Sequence, residues 1–320
     1  MKDSKPIFLV LDANAILHRA FYALPPLTTK EGKPINAVYG FLLVLFKVIR
    51  EFRPDFLAVA FDFPAPTFRE KLFKEYKAKR PKAPDEFYQQ IPEIKKILQE
   101  FGIRIFEKEG YEADDIIGTI SRIIREQTKN SKIETIIVTG DLDMLQLIDQ
   151  STKVYLLKRG IKNTDLYDED LVKEKTGLLP EQIPDFKALF GDPSDNIPGV
   201  CGIGKKTAYN LIKKFKNLEN LYKSLEDLKD KCAKEEIRPK VKEALLYYKK
   251  QAFLSRELAQ INQNVPIKFE LSDCSFKNLQ EEKARKVLEN YGFRSLIKRL
   301  PEIFKNQSQE KKLTLQKRLI

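Results

Sequence analysis

Short apolar runs that stop on an acid dictate most of what this chain can become. Residues 7–11 are followed by Asp12, residues 57–61 by Asp62, and residues 136–140 by Asp141 and Asp143. Runs 7–11, 56–61, 103–106, 133–138 and 154–157 lack helical periodicity and have the length of strands buried on both faces. Helical patterns separate them: 37–52, 85–101, where Phe87, Ile91, Ile94, Leu98 and Phe101 recur at helical spacing, and 112–128. Strands alternating with long helices predict an α/β fold, a mostly parallel central sheet flanked by helices on both faces. Beyond about residue 179 the strand pattern fades, and helical segments divided by Gly and Pro predict an all-helical second part packed on the first. No internal repeat interrupts this order.

In open α/β sheets ligands bind outside the carboxyl ends of the strands, which is where the acids fall. Glu112, Asp114 and Asp115 open the helix that follows run 103–106 and reach the same rim. Singly, each acid reads as a helix cap, a turn residue or a partner of a helix dipole. Together they repel one another unless cations bind or their pKa values rise. Hard divalent ions with oxygen ligands, Mg²⁺ or Mn²⁺, are the natural counter-ions. The chain has one histidine, His18, and three cysteines, Cys201, Cys232 and Cys274, so a His or Cys/His zinc cluster is excluded by count. An odd number of cysteines without a C-x-x-C pattern fits packing residues in a reducing compartment. A further acidic pair, Asp192 and Asp195, lies in Gly191-Asp192-Pro193-Ser194-Asp195-Asn196, where a tight turn or one turn of helix would face both toward the rim. Such residues equally build a capped turn.

Charge is distributed unevenly. Lys+Arg 58 against Asp+Glu 46 gives +12, but Lys and Arg number 30 against 31 acids through residue 200 and 28 against 15 beyond it. A basic C-terminal part without a membrane segment points to a polyanion, nucleic acid first, with a lysine-rich solvated surface as the plainer alternative. A second basic group, Arg69, Lys71, Lys74, Lys77, Lys79, Arg80 and Lys82, is interleaved with Phe68, Phe73 and Tyr76. Cations that follow phosphates beside rings that stack on bases make a single-strand funnel; an exposed helix with Phe73 and Tyr76 facing the core would share the composition. Gly199, Gly202 and Gly204 then allow close backbone approach, and the helix opening at Lys205, Lys206 and Thr207 offers N–H groups to an anion. This is not a Walker A loop, because Lys206 stands where Ser or Thr is required. Contact with a DNA backbone is the better use.

The resulting organisation is an α/β core over 1–178 with a basic segment at about 63–84, a helical nucleic-acid-binding part over 179–300, and a basic tail over 301–320 containing Lys305, Lys311, Lys312, Lys317 and Arg318. The longest apolar stretch, 38–46, falls short of the roughly 20 residues that span a bilayer. The first apolar run ends at Asp12, so neither a signal peptide nor a membrane association is expected, and the expected location is cytoplasmic.

Eight motifs in this order make the chain resemble the 5′-nuclease domain of bacterial DNA polymerase I and its relatives, the flap endonucleases and phage 5′-exonucleases. They are Val10-Leu11-Asp12, Ala37-Val38-Tyr39-Gly40-Phe41, Phe61-Asp62, Tyr76-Lys77-Ala78-Lys79-Arg80, Gly110-Tyr111-Glu112-Ala113-Asp114-Asp115, Thr139-Gly140-Asp141-Leu142-Asp143, the stretch 191–199, and the glycine-rich loop, within a resemblance covering about 8–297. It implies a PIN-like sheet, a flexible basic arch, and a helix-hairpin-helix-like element at about 185–215 that grips duplex DNA. It further implies one metal held by Asp12, Asp62, Glu112 and Asp114 or Asp115, and another by Asp141, Asp143, Asp192 and Asp195. By the same resemblance Lys77 and Arg80 contact the scissile phosphate with Tyr76 stacking beside them; Arg69, as a member of the basic group, is expected on the DNA as well. Gly199, Gly202, Gly204, Lys205, Lys206 and Thr207 then hold the duplex strand, with K⁺ on backbone carbonyls.

The activity so implied is a metal-dependent 5′-3′ exonuclease or 5′-flap endonuclease that recognises DNA structure rather than sequence, with two ions roughly 4 Å apart activating water and stabilising the leaving 3′ oxygen. Its partner is DNA with a 5′ end or 5′ flap. No polymerase domain is expected within this chain, so a separate polymerase and ligase are expected to complete the work, and a monomer is expected. The rival readings are a catalytically silent DNA-structure binding module and a metal-dependent ribonuclease on a similar acidic core.

Overall fold

In the computed structural model, which describes residues 5–127, 133–227 and 237–304, strand β1 (Ile7–Asp12) pairs in parallel on both edges. Its apolar run requires this position, because Phe8, Leu9, Val10 and Leu11 are all fully buried. β2 (Phe56–Ala60) and β3 (Arg104–Phe106) lie to one side; β4 (Glu134–Thr139), β5 (Thr152–Leu157) and β6 (Thr164–Tyr167) lie to the other, in the order β3-β2-β1-β4-β5-β6. All neighbours are parallel except β5 and β6. The order reverses between β1 and β4, so the crevice of this sheet opens beyond Asp12 and Thr139.

The helices of the α/β part are α1 (Ala13–Ala23), α2 (Asn36–Phe52), α3 (Phe68–Leu72), α4 (Asp85–Tyr88), α5 (Gln90–Phe101), α6 (Ala113–Gln127) and α7 (Glu169–Thr176). After them come α8 (Ile183–Phe190), α9 (Lys205–Phe215), α10 (Leu218–Glu226), α11 (Pro239–Tyr247), α12 (Lys249–Ala259), α13 (Glu281–Asn290) and α14 (Arg294–Ile297). Strand side chains alternate between two cores. Leu9, Leu11, Val59 and Val138 pack with α1, α2, α5 and α13, whereas Phe8, Val10, Ala58 and Ile137 pack with α6. Between α1 and α2 the approach is close enough that a Cβ on Gly40 would stand 2.6 Å from that of Ala20.

All five expected strands form. The edge strand β6 was not anticipated, because its sequence Thr164-Asp165-Leu166-Tyr167 buries only Tyr167 and carries little apolar signal. The helix expected over 85–101 is interrupted at Gln89, where Pro92 supplies no N–H for the carbonyl of Tyr88. The second segment thereby aims buried Gln90 at the start of α2, and its Oε1 accepts from the N–H of Ala37 at 2.8 Å and of Val38 at 3.3 Å. No side chain of α2's own caps that end.

Among the described residues the part after 179 holds helices and no strand, as expected, but it does not pack as one body. A helical core runs from Leu178 to Ala252, but Ile261, Val265, Phe269 and Cys274 lie in extended and 3₁₀ chain against the sheet, and Phe276 through Phe304 return to the opposite face. Residues 261–304 therefore brace the α/β body instead of the helical part. Among the described residues no helix is long and apolar enough to cross a membrane. Cys232 and the basic residues from Lys305 onward lie outside the described residues.

Candidate functional site

A cleft of about 930 Å³ opens at the carboxyl ends of β1, β2 and β4, and Asp12, Asp62, Glu112, Asp114 and Asp141 line it together with Lys77 and Arg80. Each acid arrives there for a local reason. Asp12 ends β1 and caps α1, so its Oδ1 accepts from Ala15 N at 3.1 Å while Oδ2 accepts from Thr139 Oγ1 at 2.7 Å. Asp62 follows β2 by two residues and accepts from Ala113 N at 2.8 Å, tying the second strand to the start of α6. Asp114 sits in the first turn of α6. Asp141 follows β4, takes the N–H of Asp143 at 2.8 Å, and donates its own N–H to Thr139 Oγ1 at 3.0 Å.

Bringing these carboxylates together raises their proton affinity. Burial, with the neighbouring charges of Asp62 and Asp141, pushes Asp12 up to about 7. Burial and the charges of Asp12, Asp141 and Glu112 raise Asp114 well above the usual range, and burial raises Asp62. Asp143 is pushed up to about 6 by burial against the pull of Lys187. Glu112 behaves oppositely: burial opposes its charge, but Lys77 and Arg69 hold it below the ordinary value.

Cationic side chains stand among the acids. Lys77 Nζ is 3.0 Å from Glu112 Oε2 and 3.9 Å from Asp195 Oδ2, and Arg80 Nη2 is 3.3 Å from Asp195 Oδ1. Lys187, from α8, bridges Asp143 and Asp192. Among the described residues no three His, Cys, Asp or Glu side chains close into a ready coordination shell. The donor set nonetheless fits a hard divalent ion: it is all carboxylate oxygen, burial and repulsion raise pKa values within it, and Asp195 Oδ1 is buried and accepts no hydrogen bond, its neighbour being the ion-paired Arg80.

Four expected assignments change, at Asp115, Arg69, Tyr76 and Gly199. Asp115 does not line the cleft. Its Oδ1 and Oδ2 each accept from Arg69 at 2.8 Å, and it also takes the N–H groups of Glu112 at 3.1 Å and Asn262 at 2.8 Å, which leaves it closed to a metal. Arg69, 2% exposed, is spent on that pair and on the carbonyls of Leu258 and Gln260, so it offers nothing to DNA. Tyr76, expected to stack on a base, is 4% exposed in a small cluster with Ile197, Leu258 and Ala259, its hydroxyl 3.3 Å from Glu112. Phe73 packs, half-buried, against the same cluster, and half-buried Phe68 packs against Tyr111.

That segment lies docked on the rim. Lys77 N donates to Asp195 O at 2.9 Å, and Asn196 Nδ2 to Glu75 O at 2.7 Å. Beyond Asp195 the glycine turn begins: Gly199, expected on the DNA, is instead buried with its N–H and carbonyl bonded to Ser255 and Gln251; it has φ +64, and a Cβ there would run into the backbone of Gly191. Gly202, Gly204, Lys205 and Lys206 are exposed, Thr207 is half-buried, and no side chain caps the start of α9.

Sequence reasoning missed Lys187, Arg19, Asn14 and His18. Arg19 Nη2 donates to Gly140 O at 2.8 Å and Asn14 Oδ1 accepts from Asp62 N at 3.2 Å, while His18 lines the cleft beside Phe87. The usable signal was position: Asn14 and His18 are four apart on the helix that Asp12 opens, and Lys187 lies five residues before Asp192.

Residues 7–177 match the family model described as the 5′-3′ exonuclease N-terminal resolvase-like domain, and residues 178–282 match that of the 5′-3′ exonuclease C-terminal SAM fold. DNA polymerase I of Caldicellulosiruptor bescii is 42% identical over 91% of this chain and 33% of its own length. The chain thus spans about a third of that relative. A 5′-3′ exonuclease of Aquifex aeolicus is 38% identical over 94% of this chain and 97% of its own. Among solved structures, T5 5′-exonuclease with bound zinc ions superposes with a TM-score of 0.64 at 18% identity, covering 93% of this chain and 98% of that one. The catalytic core of Rad2 in complex with DNA substrate gives 0.54 at 17%, covering 94% and 92%. At such identities the likeness is one of fold: a mixed α/β sheet flanked by helices, with a helical C-terminal domain. Sequence, domain order and cleft agree, and the chain belongs to the 5′-3′ exonuclease family.

Proposed function

We propose that this chain is a divalent-metal-dependent nuclease that hydrolyses DNA near a 5′ end or at the base of a 5′ flap. The observation that carries the reading is the convergence of Asp12, Asp62, Glu112, Asp114 and Asp141 in one cleft beneath Lys77 and Arg80. Asp12, Asp62, Glu112 and Asp114 would hold one Mg²⁺ or Mn²⁺, and Asp141, Asp143, Asp192 and Asp195 a second. Bound there, the ions would supply an activated water and charge neutralisation at phosphorus. The water oxygen adds to phosphorus, the P–O3′ bond breaks, and the products carry a 5′-phosphate and a 3′-hydroxyl.

Lys77 and Arg80 already neighbour acids that the ions would neutralise. Were cations to neutralise those carboxylates, Lys77 and Arg80 would be free to turn their charge to the phosphoryl oxygens, where preorganised donors stabilise the developing charge. The exposed end of the glycine turn, Gly202 and Gly204, with exposed Lys205 and Lys206, would hold the duplex backbone in the manner of a helix-hairpin-helix, with K⁺ on the turn's free carbonyls, while Gly199, bonded through N and O to α12, braces the turn. Asp115 and Arg69 belong to the frame of the site. A cytoplasmic monomer working together with polymerase and ligase activities is the setting this reading implies.

The test is product analysis on one 5′-flapped duplex with and without Mg²⁺, beside an RNA flap of the same sequence. A short 5′ fragment released only with Mg²⁺ is expected. An intact DNA flap at full Mg²⁺ occupancy, or cleavage confined to RNA, would overturn the reading.

A further inference from the structure

The Arg69–Asp115 pair joins three segments that the proposed reaction must keep in register. Arg69 lies in α3 at the base of the basic segment; Asp115 lies in the first turn of α6, one residue from Asp114; and the carbonyls of Leu258 and Gln260 end α12, whose Gln251 and Ser255 hold the glycine turn. Gln251 Nε2 donates to Gly199 O at 2.7 Å, and Gly199 N donates to Ser255 Oγ at 3.1 Å. A continuous path of short bonds therefore runs from the duplex-holding turn, along α12, through one guanidinium, to the helix that carries a cleft acid.

The chemistry of the pair suits a spacer. A bidentate guanidinium–carboxylate fork fixes angle as well as distance, and here Nε and Nη2 of Arg69 also donate to the carbonyls of Leu258 and Gln260 in a second element, while Nη1 lies 3.6 Å from Glu112 Oε2. Buried ion pairs add little net stability over well-packed apolar residues of similar volume, so stability alone gives no reason to bury this one. What apolar residues would lack is the directional hold on Leu258 and Gln260.

We propose that Arg69 and Asp115 are positioning residues that set the distance between the duplex grip and the metal acids, and hence which phosphodiester is cut. This rests on the nuclease reading above. Substrate is held at the glycine turn and cut at the acids; a change in the spacing between them moves the cut along the strand.

The experiment maps cut positions at single-nucleotide resolution on a 5′-flapped duplex with Mg²⁺. Wild type should cut one dominant phosphodiester, which tests the nuclease reading by itself. The double variant Arg69→Met/Asp115→Leu keeps volume without the fork, and should spread its products over neighbouring phosphodiesters with kcat/KM lowered about tenfold. Arg69→Lys keeps the charge but cannot reach both carbonyls while paired to Asp115, and should spread the cut less. A cooperative melt identifies the folded variants, and Arg69→Lys decides if the double variant does not fold. A single cut at the wild-type phosphodiester by either folded variant overturns the proposal whatever its rate, since a merely structural role would lower the amount of active protein without moving the cut.

Discussion

Lys77 Nζ lies 3.0 Å from Glu112 Oε2, and the backbone at Lys77 takes a left-handed φ of +55 beside that contact. Non-glycine residues rarely adopt that region without compensation, and the N–H bond from Lys77 to Asp195 O supplies it. The basic segment is thus latched to the acids by both backbone and side chain. Replacing Lys77 by Ala should slow flap cleavage by on the order of a hundredfold while weakening duplex binding much less. Single-turnover rates beside equilibrium binding check this, and equal losses in both would make Lys77 a tether.

Asp141→Asn should abolish cleavage and keep flap binding, because the amide preserves the size of the group and its bond to Asp143 N while losing the charge. Near-normal turnover in that variant would remove Asp141 from the proposed metal set.

Removing Lys187 leaves Asp143 and Asp192 facing each other without the ammonium that bridges them. Lys187→Met should cost roughly 3 kcal/mol in urea melts with EDTA, the usual scale for orphaning a buried charge. Saturating Mg²⁺ should recover part of that loss if the two acids share an ion.

The raised acids make metal-free stability fall with pH. Asp12 at about 7 and Asp143 at about 6 hold protons in the folded chain that the unfolded chain has already released, so ΔG of unfolding declines between roughly pH 4 and 7. Glu112 and Asp192, held low, act in the other direction and lose their contribution only as pH falls through the carboxylate range. Divalent ions take the ionised form, so the rise in Tm produced by Mg²⁺ should be larger at pH 8 than at pH 5. A pH-independent increment would count against this linkage.

Gly199→Ala should destabilise the chain by roughly 1–3 kcal/mol from backbone strain alone, and more from the clash with Gly191. Gly202→Ala meets no neighbour but carries the same left-handed strain at φ +82, so it should be the milder of the two in thermal melts.

Periodicity and strand-end acids in the sequence were enough to place the five parallel strands, the rim on which they end, and most of the cleft. Asp12, Asp62 and Asp141 each follow a run that is buried in a parallel sheet, and all such strands end on one side. β6 and the break at Gln89 were hidden because a polar edge strand carries little alternation and a single proline within a periodic stretch leaves the spacing intact.

What belonged to the amino-acid sequence alone was the identity of the donors: oxygen-only acids, a charged segment between β2 and α5, and glycines where the backbone must turn left-handed or come close. Which donors are open and which are closed was decided by tertiary structure. Asp114 and Asp115 are adjacent in sequence, yet one faces the cleft and the other is sealed by Arg69 from forty-six residues away. Consecutive residues of a helix point about 100° apart, and only packing selects the side that meets the acids and the side that meets an arginine.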